Sequence, residues 1–300
     1  MAAPFPIREG YAPFRGHKDY YRIVGDGEEP GKLPLLCLHG GPGVPHHYLT
    51  PLERLAATGR RVIFYDQLGC GGSDHPSDPA MWTVDLFLEE VAAIREALGL
   101  DRIHLFGSSW GGMLAMRYAL DRPAGLVSLI TAGSPASVPG WMVELARLRA
   151  ELPPETEATL RQHEAAGTTD DPAYQEAMLV FYRKHVCRLD PWPDYVDRAF
   201  AETGQEVYNV MNGPSEFHVI GVIKDFDITA RLGEIRIPTL VTCGRYDEVT
   251  PATNEVVHRG IPGSEMVVFE QSSHLCFVEE QDRYLQVAGD FLARVEANAR

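Results

Sequence analysis

Short apolar runs recur along this chain, most of them followed by a stretch whose apolar positions fall three and four apart. The runs at residues 33–38, 61–65, 103–106, 126–131, 239–243 and 265–269 predict buried strands. The stretches at 48–57, 83–98, 111–121, 252–259 and 279–297 predict helices. Within the second of these, Val84, Phe87, Leu88, Val91, Ile94 and Leu98 form a stripe along one helix face. Strand and helix alternating in this way predict an α/β fold, a mostly parallel sheet with helices on both faces. Residues 19–24 predict one early antiparallel strand.

The alternation stops between residues 139 and 232. Amphipathic segments at 141–151 and 173–185 are interrupted by Pro153-Pro154 and Pro191-Trp192-Pro193, and no buried parallel strand stands out. The expected organisation is a core domain made of residues 1–138 and 233–300, with a helical cap domain, 139–232, inserted into it.

Composition narrows the function. Three hundred residues, 45% of them hydrophobic, suffice for one large domain with an insertion. The net charge of −15, from 42 acidic and 27 basic residues, argues against nucleic acid and anionic membranes as partners. No run reaches the ~20 apolar residues of a membrane span. The segment from Met1 to Glu9 lacks the apolar stretch of a secretory signal. Five scattered cysteines without Cys-x-x-Cys spacing fit reduced thiols, so a cytoplasmic location is expected.

The chemistry enters at Gly107-Ser108-Ser109-Trp110-Gly111, a Gly-x-Ser-x-Gly between an apolar run and a helical stretch. Strand, sharp turn and helix make Ser109 a candidate nucleophile at a helix N-terminus, where glycines relieve crowding and unpaired N–H groups favour negative charge. A serine hydroxyl needs a base and an orienting carboxylate. Asp247 follows the run ending at Cys243, and His274 follows the run ending at Phe269, giving the chain order Ser, Asp, His. The oxyanion of such a reaction needs two N–H donors. The Trp110 amide is one. His39-Gly40-Gly41-Pro42-Gly43, directly after a strand, offers the other, with Gly41 preferred to Gly40. The adjacent His46 and His47 make a poor metal pair, and no His-Glu-x-x-His occurs. Cys70 and Cys276 flank the candidate site, where thiol modification is expected to matter only if it blocks access.

Four segments together resemble the proline iminopeptidase (prolyl aminopeptidase) family of α/β-hydrolases. They are His39-Gly40-Gly41-Pro42-Gly43, Asp66-Gln67-Leu68-Gly69-Cys70-Gly71-Gly72-Ser73, Gly107-Ser108-Ser109-Trp110-Gly111-Gly112 and Gly244-Arg245-Tyr246-Asp247-Glu248. The likeness runs from about residue 15 to 295. It implies an α/β-hydrolase fold, no metal or cofactor, and release of an N-terminal residue, often proline, from peptides, amides or arylamides. It also implies carboxylates that hold the free α-amine, at Glu248 and at Glu216 within Met211-Asn212-Gly213-Pro214-Ser215-Glu216-Phe217. A buried ammonium needs such opposite charge, and an N-acylated substrate leaves it unpaired. The plain alternatives are a solvated carboxylate at Glu216 and a helix N-terminal charge at Glu248.

The expected partner is therefore a small molecule or short peptide with a free N-terminal amine; oligomeric state is not legible. Alternatives with the same triad are an amino-acid amidase and a hydrolase removing an aminoacyl group from a natural product. A general esterase or lipase is disfavoured by the two glutamates. A non-catalytic ligand receptor on the same scaffold needs neither the donor loop nor the amine anchors.

Overall fold

The computed structural model of the protein describes residues 5–298; residues 1–4, which open the segment read for a leader, lie outside the described residues. The chain opens with β1 (Ile7–Phe14) and β2 (His17–Val24), an antiparallel hairpin. β3 (Leu35–Leu38) leads to a 3-10 helix, His46–Thr58, and then to β4 (Val62–Tyr65). α1 (Val84–Ala97), β5 (Ile103–Ser108), α2 (Trp110–Leu120) and β6 (Leu126–Ala132) follow. The eight strands of the sheet are ordered β1-β2-β4-β3-β5-β6, completed by β7 (Thr239–Gly244) and β8 (Glu265–Phe269). β2 pairs antiparallel with β4, and every pair from β4 to β8 is parallel.

β3, β4, β5 and β7 are buried along their whole lengths, as a sheet covered on both faces requires. Alternate residues face opposite layers. Leu36, Leu38, Ile63 and Leu105 pack with Phe87, Val91 and Ile94 of α1 and Leu114 of α2. Leu35, Cys37, Val62 and Phe64 pack with Leu49 and Leu52 of the 3-10 helix and with Phe291 and Leu292 near the C-terminus.

Two elements depart from the expected pattern. β1 was not predicted, because it is an edge strand with most side chains exposed and with Gly10 and Pro13 inside it, which leaves no clean alternation. The helix expected at 48–57 is 3-10, with Pro51 inside it denying an N–H to an α ladder.

Between β6 and β7 lie α3 (Val138–Arg149), α4 (Pro154–Ala166), α5 (Pro172–His185), α6 (Asp194–Ala201) and α7 (Gln205–Met211). Two short 3-10 helices, Val222–Asp225 and Thr229–Glu234, complete the insertion. Prolines open α4 and α5 at the first helical position, where a missing N–H costs nothing. A single β-bridge, Ser137 to Asp227, ties the two ends of the insertion together. After β7 come α8 (Pro251–Gly260), β8, the short α9 (Cys276–Glu279) and α10 (Gln281–Asn298), so the helix expected at 279–297 is α10. Among the described residues no helix is long and apolar enough to cross a membrane.

Candidate active site

β5 ends at Ser108 and α2 begins at Trp110, so Ser109 alone makes the turn, at φ +55° and ψ −123°. That conformation is strained for a residue with a Cβ and persists because its surroundings dictate it. The Ser109 N–H donates to the Ala132 carbonyl at 2.9 Å, and its own carbonyl accepts from Gly112 and Met113 at 2.9 and 3.1 Å. A Cβ on Gly107 would run into the Gly111 carbonyl, and one on Gly111 into that of Leu38. The flanking glycines are thus required by close approach.

Asp247 lies in the turn after β7 and is buried. Its Oδ1 accepts from the Val249 N–H and from His274 Nδ1, both at 2.8 Å. A carboxylate only accepts, so Nδ1 carries the hydrogen and Nε2 is left for proton transfer. His274 lies between β8 and α9. Burial opposes its charging, but the Asp247 carboxylate, by charge and hydrogen bond, with Glu248 and Glu216 behind it, holds its pKa up to about 9. Gly133, at the end of β6, packs so tightly on this pair that a Cβ would press on His274 Nδ1 and Asp247 Oδ2.

Ser109, His274, Gly41, Glu216 and Glu248 line one cavity. Asp247 stands behind His274 and Trp110 behind Ser109. Among the described residues, no hydrogen bond joins Ser109 to His274. The Gly40 N–H is spent on the Tyr48 hydroxyl at 2.6 Å. Among the described residues, neither the Gly41 N–H nor the Trp110 N–H, the first of α2, has an acceptor. Gly41 adopts φ +108°, and a Cβ there would collide with the Gly43 and Val44 nitrogens. The pair available to an oxyanion is therefore Gly41 with Trp110.

Two residues that carry no role in the motif reading, Gln67 and His39, brace the donor segments. Gln67 donates from Nε2 to the His39 carbonyl and accepts from the Trp110 indole, each at 2.9 Å. Its N–H donates to His39 Nε2 at 2.8 Å, so His39 donates from Nδ1 to the Gly40 carbonyl at 2.9 Å. Burial pushes the His39 pKa down to about 4, keeping it neutral. The Asp-Gln motif carried Gln67 in view, but nothing in the pattern revealed what it bridges.

Glu216 and Glu248 are both buried, and among the described residues no lysine or arginine lines the cavity. Glu216 Oε1 accepts from the Tyr208 hydroxyl at 2.6 Å. Glu248 Oε2 has no partner among the described residues. Burial raises the pKa of both carboxyls, and the charge of Glu216 raises that of Glu248 further. The insertion grips this part of the site. The carbonyl of His185, the last residue of α5, accepts the N–H groups of Glu248 and His274 at 3.2 and 3.1 Å. Such terminal carbonyls have no partner within their own helix. The Trp141 indole of α3 donates to the Glu248 carbonyl at 3.1 Å.

The remaining candidates resolve differently. Cys70 and Cys276 are fully buried and burial pushes both thiols far up, so alkylation of the folded protein is not a route to blocking the site. His46 donates to Asp66 at 2.7 Å, and His47 bonds Glu202 at 2.8 Å.

The alpha/beta hydrolase fold family matches residues 34–281. The proline iminopeptidase of Saccharolobus solfataricus is 42% identical over 291 residues, covering 96% of this chain and 93% of that one. A crystal structure of the proline iminopeptidase of Mycobacterium smegmatis superposes with a TM-score of 0.90 at 41% identity, over 98% of this chain and all of that one. The crystal structure of VinJ superposes with a TM-score of 0.93 at 44% identity, over 96% of this chain and 99% of that one. With such similarity over almost its whole length, and with an elbow serine, a donor loop and an Asp–His pair at the strand ends, the chain belongs to the proline iminopeptidase family of alpha/beta hydrolases.

Proposed function

We propose that this protein is a serine hydrolase of the aminopeptidase type, cleaving the amide bond that follows an N-terminal residue with a free amine, proline or another small apolar residue. The observation that carries the reading is the pair of buried carboxylates, Glu216 and Glu248, that share a cavity with Ser109 and His274 and, among the described residues, have no lysine or arginine lining that cavity with them. An ammonium is the natural complement of that pair. His274 Nε2 takes the proton of Ser109 as the hydroxyl oxygen attacks the carbonyl carbon, and the Gly41 and Trp110 N–H groups hold the oxyanion. As the C–N bond breaks, His274 gives that proton to the leaving amine. It then removes a proton from water, whose oxygen attacks the aminoacyl ester, and returns that proton to Ser109 Oγ as the ester C–O bond breaks, freeing the amino acid. Asp247 fixes the imidazole tautomer and stabilises its cation. Residues 139–232 act in this scheme as the cap that contributes Glu216, and the five free, buried cysteines suit a reducing cytoplasm.

The test is a panel of aminoacyl arylamides, each free and N-acetylated. Free substrates should be turned over and acetylated ones rejected, by about 10²-fold or more in kcat/KM. Ser109→Ala should cut turnover by on the order of 10⁵ or more. Equal turnover of the two substrate forms counts against the amine seat, and activity in Ser109→Ala against the nucleophile.

A further inference from the structure

Val44 and Phe200 line both the cavity of Ser109 and a second cleft whose other walls come from the insertion. Met178 and Leu179 of α5, Trp192 and Pro214 form its other apolar walls. Leu179 is 37% exposed, so the cleft reaches the surface. Tyr182 and Tyr208 line it as well, but their hydroxyls are engaged by Glu216, which leaves their rings for the cleft. Its polar lining, Gln175, Thr203 and Gln205, is neutral, and no charged side chain lines it. Of the cations on the adjoining helices, Arg149 is held by Glu157 and Glu164 and Arg198 by Glu202, and Arg183 of α5 does not line the cleft.

A substrate whose ammonium rests on Glu216 and Glu248 ends there, because both carboxylates are buried. Length is available only beyond the scissile bond. A leaving group with a carboxylate close to its nitrogen, as in a dipeptide, would lose water against Val44, Phe200 and Trp192 with no cation to receive it. An alkyl or aromatic body would gain by the same transfer. We infer that this cleft receives the leaving amine, and that the preferred leaving group is an extended, uncharged, apolar amine rather than an amino acid with a free carboxylate. The inference rests on the aminopeptidase-type reading and names its substrate class.

The experiment holds one aminoacyl group constant and varies what it is attached to: ammonia, n-alkylamines from ethyl to octyl, glycine, and glycinamide. kcat/KM should climb about two- to fourfold per methylene, and the glycine dipeptide should fall about tenfold or more below its amide. Leu179→Lys, at the solvent edge of the cleft, should narrow the dipeptide-to-octylamide gap by supplying the missing cation. A flat response to chain length, or a dipeptide equal to its amide, overturns the assignment of the cleft. So does a series in which only lengthening the acyl side chain raises kcat/KM, since the cleft then belongs to the acyl residue. The primary aminoacyl amide and its N-acetyl form separate the two levels. If the free primary amide is cleaved and the acetylated one is not, the amine reading stands whatever the alkyl series gives; if neither is cleaved, both fall.

Discussion

His274 meets Asp247 through Nδ1 at 2.8 Å and Glu248 through Nε2 at 3.8 Å. Glu248, one of the two carboxylates proposed to seat the ammonium, therefore also bears on the proposed base. Burial opposes the charging of His274, but Asp247 foremost, and Glu248 and Glu216 after it, hold its pKa up to about 9, which favours the charged imidazole, without a lone pair for the proton of Ser109, at neutral pH. An ammonium seated between Glu216 and Glu248 favours the ionised form of both carboxyls, whose pKa values are raised, and offsets their field at His274, so the coupled groups together give up a proton. Binding of an aminoacyl amide to Ser109→Ala at pH 7 should release up to about one proton per ligand, read by calorimetry in buffers of different ionisation enthalpy. In the active enzyme, the rise of kcat with pH should lie below the rise of kcat/KM, because the first reports the complex and the second the free site. Glu248→Gln should abolish most of the release and lower kcat/KM for free amines by roughly 10²–10³-fold. Amine binding without proton release would falsify this coupling.

Apart from Glu216, which the insertion after β6 supplies, the candidate site residues come from loops that follow β3, β4, β5, β7 and β8, all at the carboxyl edge of the parallel strands. That placement makes Ser109, Asp247, His274 and Gly41 legible in the sequence, since each is flagged by a local strand-then-turn signal. Gln67 follows β4 in the same way, yet its work spans 28 residues to His39 and 43 to Trp110, and no local pattern encodes such bonds. Tyr208 with Glu216 and Trp141 with Glu248 are hidden for the same reason. Among the elements, the buried strands announce themselves through unbroken apolar runs, whereas β1 does not, because an exposed edge needs no such run. Gln67→Leu keeps the volume but removes both side-chain bonds, leaving the Gly41 and Trp110 donors without their brace. A misplacement of that kind should lower kcat by about 10–10²-fold. KM for a free-amine substrate should move by less than about threefold, since Glu216 and Glu248 are untouched. Steady-state kinetics on one arylamide decides it: a loss confined to KM would place Gln67 in substrate binding instead.

Across the whole molecule, the last helix is joined to the sheet by a buried ion cluster that no sequence pattern announces. Glu296 of α10 reads as an ordinary helix-surface charge, yet its side chain is buried. It accepts from Arg60 at 2.8 and 3.2 Å, from the Leu33 N–H at 3.0 Å and from Lys32 at 3.2 Å, and lies 3.2 Å from His104 Nε2. α10 is thereby tied to the segments entering β3 and β4 and to β5 itself. Burial alone would raise the Glu296 pKa, but His104, Arg60 and the Leu33 N–H together bring it down to about 2. A carboxyl with a depressed folded pKa contributes stability above its unfolded value, about 4.3, and that contribution is lost as pH falls from there toward 2. Replacing Glu296 leaves Arg60 buried without a counter-charge, a change that costs about 3–5 kcal/mol in such settings. Glu296→Gln should accordingly lower Tm at pH 7 by roughly 5–15 °C and weaken the decline of Tm between pH 4.5 and 2.5. The folded variant should keep its turnover at 25 °C, because the cluster lies apart from the cavity of Ser109. An unchanged Tm at pH 7 would mean that the cluster adds nothing to the fold beyond the apolar packing of Phe291 and Leu292, and that α10 is held by that layer alone.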